Sequence, residues 1–139
     1  MSTQKNENIL VREVMLELGR VPVVPERMLF KEALEEMGRK KLGIACVIDS
    51  QNHLSGIITD GDIRRKLLKV QKPFSALLVD DAIDHSIKTP MVVSPSDTLL
   101  SAIRKMDEKQ VWDLPVVQTD GTLVGLLHLH PAIKKLLQS

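Results

Sequence analysis

The chain has 139 residues, of which 43% are hydrophobic, and its 19 basic and 18 acidic side chains leave a formal net charge of +1. This size suits one globular domain or two small associated units, and the balanced charge argues against nucleic acid or an anionic membrane as a partner. With two Phe, one Trp and one Cys, the sequence offers no base-stacking platform, disulfide framework or cysteine-based metal site. It shows no signal peptide and no apolar run of membrane-spanning length, so we expect a cytoplasmic protein.

The order of strands and helices follows from the spacing of the apolar residues. Residues 1–8 are polar and unpatterned, so we expect a disordered end or the remnant of a linker, and residues 10–15 indicate one short helical turn. The pattern then predicts, in chain order, an edge strand at 21–24, a helix with Phe30, Ala33, Leu34 and Met37 on one face, strands at 44–48 and 54–59 joined by a turn, and a helix marked by Ile63, Leu67 and Leu68. Gly43 is expected to end the first helix.

The same order occurs twice, because residues 23–68 align without a gap on residues 92–137, at a constant offset of 69. Identical pairs include Val23/Val92, Met37/Met106 and Gly56/Gly125, and a register kept over so many apolar positions indicates a duplication. We therefore predict an α/β (α+β) fold of two β-α-β-β-α repeats, packed about a pseudo-twofold axis because neither half alone buries enough apolar surface. The predicted division is 1–9 as the terminus, 10–70 as the first repeat, 71–86 as a connector with a short helix, and 87–139 as the second repeat.

The segment from Gly56 to Arg65 carries the clearest functional signal, since a short apolar strand ends at Thr59 and turns into a helix that carries Asp62. Unpaired backbone N–H groups at a helix start suit an anion, and a hydroxyl beside a carboxylate suits the two hydroxyls of a ribose. The same Thr-x-x-Asp pattern is also a helix capping box, with Thr59 at N-cap and Asp62 at N3. From these residues alone, capping is the more common interpretation.

Two such units, each closing with Gly and two apolar residues before a turn and a helix, resemble a tandem pair of CBS domains, or Bateman module. More narrowly, residues 32–43, 59–65 and 124–130 resemble the C-terminal CBS pair of KpsF/GutQ-type sugar-phosphate isomerases. Residues 59–65 are also similar to CBS pairs fused to sugar nucleotidyltransferases, which remain an alternative, although the paired His128 and His130 favour the isomerases. Those isomerases interconvert ribulose 5-phosphate and arabinose 5-phosphate for Kdo and capsule synthesis in a separate N-terminal domain, which nothing in this chain resembles.

The resemblance implies that Thr59 and Asp62 hold the ribose hydroxyls of a bound nucleotide. Four neighbours in the same turn join the predicted site: Asp60, Gly61, Arg64 and Arg65. Cations in the first turn of a helix oppose its dipole, so the two arginines suit a phosphate contact; otherwise they lie on a solvated face and offset the carboxylates.

In CBS pairs the start of the second strand lines the pocket for the nucleotide base, and the resemblance therefore implies that Ala45 and Cys46 line this pocket. We add Val23, from the first strand of the same repeat, to this predicted lining. For Cys46 a small buried core residue is the favoured alternative.

The second repeat departs from this pattern, because His128 and Pro131 stand where the first repeat has Thr59 and Asp62. The ribose-binding carboxylate is therefore missing, and the second site is expected either to be empty or to accept a different group through His128 and His130. His-x-His at a strand end would place both rings on one face, but without a third ligand we predict no metal site.

Three other side chains have structural interpretations. His53 and His85, in a turn and in the connector, are expected to be solvated. Trp112 replaces Gly43 at a helix-to-strand junction, where it suits either a dimer contact or a cover over the edge of the core.

Three hypotheses for function follow. The first is a regulatory module that binds an adenine or cytidine nucleotide or a nucleotide-sugar (AMP, ADP, ATP, CMP or CMP-Kdo) and controls a sugar-phosphate isomerase, either a missing N-terminal domain or a partner enzyme. The second is a ligand-free oligomerisation module, a CBS dimer whose apolar face would come from Leu99, Ile103, Leu136 and Leu137. The third is catalysis by this chain itself. The sequence shows no Gly-rich phosphate loop, no Cys-His or Ser-His-Asp arrangement and no paired carboxylates for acid–base work, so we expect neither activity nor a required cofactor.

Overall fold

The computed structural model describes residues 8–71 and 73–138, and the chain divides into two compact units. The repeat-1 unit is Gly19–Pro90, and the repeat-2 unit joins the segment up to Leu18 to the residues from Met91 onward. The N-terminal segment therefore packs with the second repeat, and the connector packs with the first. Residues 1–7 of the predicted disordered end lie outside the described residues, while Ile9 is buried in the core of the repeat-2 unit.

The repeat-1 unit has the predicted strand–helix–strand–strand–helix order. Its elements are β1 (Val23–Pro25), α1 (Phe30–Lys40), β2 (Ile44–Ile48), β3 (Leu54–Thr59) and α2 (Asp60–Lys69), followed in the connector by α3 (Phe74–Leu78) and a 3-10 turn (Ala82–His85). β2 lies between a parallel β1 and an antiparallel β3, so β1 is an edge strand, as its prolines require. The core is built from β1, α1, both long strands and the connector: Val24, Phe30, Ala33, Met37, Ala45, Val47, Ile58, Leu77 and Ala82.

The repeat-2 unit repeats this arrangement with one strand fewer. A 3-10 turn (Val11–Glu13) precedes α4 (Leu99–Lys109), β4 (Asp113–Val117), β5 (Leu123–His128) and α5 (Leu129–Gln138). The predicted strand at 92–93 is wrong, since it survives only as an isolated bridge between Val93 and Val116. In the first repeat Cys46 N–H donates to Pro22 O, but the matching position holds Pro115, which has no N–H to donate.

Each sheet receives one added segment at its last strand, and this explains the glycine repeated in both halves. Ile87 bridges Ile57 in the repeat-1 unit, and Leu16 bridges Leu126 in the repeat-2 unit. A Cβ on Gly56 would lie 3.0 Å from Ile87 O, and a Cβ on Gly125 would lie 2.8 Å from Leu16 O. Both glycines therefore permit a backbone approach that no side chain would allow.

The first helix of each repeat ends on a residue in the left-handed conformation. Lys41 caps α1 with φ 59°, and Gln110, at the same place in the second repeat, caps α4 with φ 56°. The prediction that Gly43 ends the first helix is wrong by two residues, because the cap uses a strained non-glycine residue and glycine follows it. Among the described helices, none is long and apolar enough to cross a membrane.

Candidate functional site

The Thr59 hydroxyl and the Asp62 carboxylate meet at the junction of β3 and α2. Thr59 is the N-cap, and its Oγ1 accepts a hydrogen bond from Asp62 N–H at 3.2 Å. The same Oγ1 donates to Asp62 Oδ2 at 2.6 Å. Thr59 is confirmed as the N-cap, but the Asp62 carboxylate accepts from the Thr59 hydroxyl and not, as a full capping box requires, from the Thr59 backbone N–H. The arrangement leaves a hydroxyl and a carboxylate side by side at a helix start, as a diol would require.

The two arginines of this turn have different surroundings. The guanidinium of Arg65 lies close to Gly61 and pairs with Asp62 Oδ1, which partly neutralises that carboxylate. Arg64 makes no hydrogen bond or ion pair among the described residues and is exposed. Since an anion attracts the cation that is not already paired, Arg64 is the better placed of the two to contact a phosphate.

Asp60 begins α2 with its backbone N–H donated to Gly43 O at 3.0 Å. Its carboxylate lies against Gly43, where a Cβ would be 2.7 Å from Oδ2, and it lines a groove of about 510 Å³ with Met37 and Ile63. Asp60 is therefore oriented towards this groove, while Asp62 engages Thr59 and Arg65.

The predicted base-pocket residues are less accessible. Ala45 and Cys46 have no exposed surface, and Ala45 belongs to the core of the repeat-1 unit, whereas Val23 is half-buried beside Cys46 in the sheet. The core interpretation of Cys46 agrees with this burial. A ligand role for these three residues remains a prediction.

Helix α2 is tied to the connector by a polar cluster that the sequence did not indicate. Lys66 Nζ donates to His85 Nδ1 at 2.7 Å, and His85 Nε2 lies 2.8 Å from Asp80 Oδ2. Because an ammonium group has no lone pair, Nδ1 accepts, and the proton is on Nε2 and points to the carboxylate. The expectation that His85 is solvated is wrong: its side chain is 8% exposed and its ring centroid lies 4.7 Å from that of Phe30.

The second repeat keeps a polar pair at the end of its last strand but builds it from other residues. His128 Nδ1 donates to Asp113 Oδ1 at 2.7 Å. The two residues face each other in the pairing of β4 with β5, as Ile44 and Thr59 do in the pairing of β2 with β3. The carboxylate thus comes from the neighbouring strand and not from the helix. Burial raises the pKa of Asp113 above its ordinary value, and the hydrogen bond and charge of His128 oppose that rise.

The expected alignment of the two second-repeat histidines is wrong. β5 ends at His128, and His130 is already in α5, so the alternation of a strand does not apply to them. His130 is exposed and His128 is held by Asp113. Within residues 8–71 and 73–138, no three His, Cys, Asp or Glu side chains come together as metal ligands would.

The apolar residues considered for an interface differ in exposure. Leu99 is fully buried and belongs to the core, which corrects its assignment to an exposed face, whereas Leu137 is 82% exposed. Trp112 is 70% exposed, so it does not cover the core edge as one alternative proposed. His53 is partly exposed and lies 3.7 Å from the Asp49 carboxylate.

Comparison with known proteins identifies the family of both repeats. A family model described as the CBS domain matches residues 11–69 and 79–130. An uncharacterized protein of Helicobacter pylori is 30% identical over 122 residues, which are 86% of this chain and 35% of that protein. The arabinose 5-phosphate isomerase KdsD of Francisella tularensis is 27% identical over 124 residues, covering 89% of this chain and 36% of that protein. The chain thus spans about a third of the length of these curated relatives.

Solved structures show the same fold. The crystal structure of CBSX2 in complex with AMP superimposes with a TM-score of 0.81 and 30% sequence identity, covering 94% of this chain and 97% of that chain. CBSX2 is a CBS-pair protein from Arabidopsis thaliana.

Proposed function

The chain belongs to the CBS domain family, and we propose that it is a regulatory module that binds a nucleotide through Thr59 and Asp62. One observation carries this proposal: the Thr59 hydroxyl and the Asp62 carboxylate lie 2.6 Å apart at a helix start. A ribose offers two adjacent hydroxyl groups, and a carboxylate with a neighbouring hydroxyl supplies acceptors for both and one donor.

Binding would exchange one set of hydrogen bonds for another. In the unliganded chain the Thr59 proton points to Asp62 Oδ2, and a ribose hydroxyl that donates to Oδ2 would take its place. The backbone bond from Asp62 N–H to Thr59 Oγ1 need not change, so the helix cap persists in the bound state. Arg64, which follows Asp62 by two residues in α2, would contact the phosphate.

The proposals for the class of ligand and for the regulated enzyme are based on proteins similar to this chain. The CBSX2 structure holds AMP, which supports an adenine nucleotide, and a cytidine nucleotide or CMP-Kdo remains the alternative. Similarity to KdsD supports an arabinose 5-phosphate isomerase as the controlled enzyme, as a separate domain or partner. The chain itself would regulate and not catalyse, and its cytoplasmic location stays a prediction.

A thermal-shift panel of AMP, ADP, ATP, CMP and CMP-Kdo tests the proposal. A ligand at 100 times its Kd should stabilise the folded chain by about 2.7 kcal/mol. The double variant Thr59→Ala/Asp62→Ala should lose that shift. The proposal fails if no compound shifts the melting temperature, or if the double variant responds as the wild type does.

Self-association is a second candidate function, and the exposure of Trp112 favours it. A large aromatic side chain that is 70% exposed is unusual on a monomer and typical of the buried part of interfaces. If light scattering shows a dimer and none of the nucleotides shifts the melting temperature, the result would favour a purely oligomeric role.

A further inference from the structure

Helix α2, which carries Asp62 and Arg64, is only weakly held by the apolar core. None of residues 60–69 is buried, and Ile63 is the only one of them that packs against the core of the repeat-1 unit. Helix α1, in contrast, buries Phe30, Ala33 and Met37. The position of α2 in this unit therefore depends on polar contacts more than the position of α1 does.

One such contact ties α2 to the connector through His85. Lys66 Nζ donates to His85 Nδ1 at 2.7 Å, and Lys66 follows Asp62 by four residues, on the same face of the helix. His85 is itself held on three sides: its side chain is 8% exposed, its ring lies against Phe30, and its Nε2 lies 2.8 Å from Asp80 Oδ2. Lys66 thus anchors α2 to an acceptor whose position is fixed.

The second repeat has the same lysine without the anchor. Lys135 stands at the position of Lys66, at the constant offset of 69 residues. It is exposed and makes no hydrogen bond or ion pair among residues 8–71 and 73–138. The lysine therefore has a fixed partner only in the repeat that also has Thr59 and Asp62.

The bond from Lys66 requires a neutral imidazole. An ammonium group can only donate, so His85 Nδ1 must present a lone pair, and the single ring proton is on Nε2. A second proton, taken from solvent, would occupy Nδ1, remove the acceptor and turn a cation towards the ammonium group. An imidazole in water takes up its second proton at about pH 6.5, so mild acid is the range in which this anchor can break.

Two charged groups face His85, and they act in opposite directions. Lys66 of α2 opposes a second proton on the ring, whereas Asp80 of the connector favours one. Whichever of the two has the larger effect, the second proton and the bond from Lys66 exclude each other, because both require the lone pair of Nδ1.

The other elements around this turn bring no further charge to the ring. In the connector Asp81 pairs with Arg27, and Asp84 is exposed. β3, which also packs against this turn, contains no titratable residue, and α1 presents the Phe30 ring to His85. The charged side chains of α1 are exposed or bonded to groups other than His85: Lys31, Glu32, Glu35, Glu36, Arg39 and Lys40.

We propose that Lys66 and His85 are positioning residues for the nucleotide site, and that His85 holds α2 against the connector only in its neutral form. This inference rests on the proposed function, because its effect is on nucleotide affinity. With the anchor intact, α2 keeps Asp62 and Arg64 in place for the ribose and the phosphate. A proton on His85 Nδ1 releases Lys66 and lets α2 move, so the chain binds a nucleotide less tightly in acid.

The test is calorimetric titration of the full chain at about pH 8 and about pH 5.5, on either side of the ordinary imidazole titration. The ligand is AMP, or whichever other of the five panel compounds gives the largest thermal shift. His85→Gln is the reference, because its amide stays neutral and can still accept from Lys66. On acidification the wild type should lose about three- to tenfold more affinity than His85→Gln does, the effect of one hydrogen bond. The nucleotide phosphate titrates at about pH 6 but does so equally for every variant.

Two lysine variants form a matched pair. Lys66→Met removes the donor and keeps an apolar stem, so at about pH 8 it should bind roughly three- to tenfold more weakly than the wild type and respond to acid only as His85→Gln does. Lys135→Met, at the equivalent exposed position, should behave as the wild type. If His85→Gln does not fold, the comparison of Lys66→Met with the wild type decides the question.

The outcomes separate this inference from the proposed function. If no compound of the panel binds at either pH, both fail. If a nucleotide binds but the wild type and His85→Gln lose the same affinity in acid, the positioning role alone is wrong. Nucleotide binding by Lys66→Met that is as tight as that of the wild type at about pH 8 would overturn it in the same way.

Discussion

Asp62 N–H donates to the Thr59 hydroxyl at 3.2 Å, and that hydroxyl donates to Asp62 Oδ2 at 2.6 Å, so the residue pair that caps α2 is also the pair that we propose binds a diol. The proposed function therefore links stability and ligand affinity at this pair. A substitution that removes the hydroxyl changes both quantities, and only a matched cap elsewhere in the chain can separate them.

Thr98 provides that matched cap. It is the N-cap of α4, and its Oγ1 accepts from Ser101 N–H at 3.2 Å, the distance found at Thr59. Thr59→Ala and Thr98→Ala should each cost about 0.5–2 kcal/mol of stability, the usual effect of losing a cap. Calorimetric titration should show a loss of nucleotide affinity of roughly three- to tenfold for Thr59→Ala alone, since a hydrogen bond is worth on the order of 1 kcal/mol.

Thr59→Ser, which keeps the hydroxyl, should restore both stability and affinity. Equal affinities for Thr59→Ala and the wild type would reduce Thr59 to a helix cap.

Asp113 should give the chain an unusual dependence of stability on pH. Burial raises its pKa above the ordinary value of 3.8, so the folded chain binds this proton more tightly than the unfolded chain does. The stability that Asp113 contributes is therefore fully present below pH 3.8 and is lost as the pH rises through the raised pKa. Urea unfolding at a series of pH values should show Asp113→Asn gaining stability relative to the wild type as the pH rises through this window.

Asp49 supplies a control of opposite sign. Backbone N–H groups, first that of His53 and then that of Gln51, lower the pKa of Asp49. Its contribution is present above its ordinary pKa and is lost as the pH falls through the lowered pKa. Relative to the wild type, Asp49→Asn should lose stability with rising pH. If the stability difference from the wild type changed with pH in the same direction for both variants, burial would not be the dominant influence on the pKa of Asp113.

His85 should be among the most sensitive polar residues of the repeat-1 unit. His85→Ala removes the bonds to Lys66 and Asp80 and the contact with Phe30, and we expect a loss of about 2–3 kcal/mol in urea unfolding. His53→Ala, at a partly exposed turn, should stay within about 0.5 kcal/mol of the wild type. Comparable effects of the two substitutions would mean that the Lys66–His85–Asp80 cluster adds little to stability.

The repeated glycines offer a test of the added segments. A Cβ at Gly125 would lie 2.7 Å from Met15 Sδ and 2.8 Å from Leu16 O, so Gly125→Ala should cost about 1–3 kcal/mol by displacing the N-terminal segment. Gly38→Ala, in an open helical position, should instead stabilise the chain by about 0.5–1 kcal/mol. Thermal unfolding distinguishes the two, and a tolerated Gly125→Ala would show that Leu16 is not held against β5.

What the sequence could predict depended on the distance between the interacting residues along the chain. The apolar stripe of α1 and the Thr59–Asp62 pair were found because helical neighbours lie three or four residues apart. The duplication then predicted the second repeat, and the CBS family and the two-repeat fold are confirmed.

The contacts that were missed join distant residues. His85 meets Lys66 19 residues away, His128 meets Asp113 15 residues away, and Leu16 reaches Leu126 from the other end of the chain. The lost strand at Val93 depended on Pro115 in the facing strand, a pairing that the spacing of apolar residues does not reveal.

The most direct test is a crystal structure of the chain with the nucleotide that gives the largest thermal shift. We expect both ribose hydroxyls within hydrogen-bond distance of the Thr59 hydroxyl and the Asp62 carboxylate, with the phosphate towards Arg64. A nucleotide whose ribose lies away from Thr59 and Asp62 would contradict this assignment of the site.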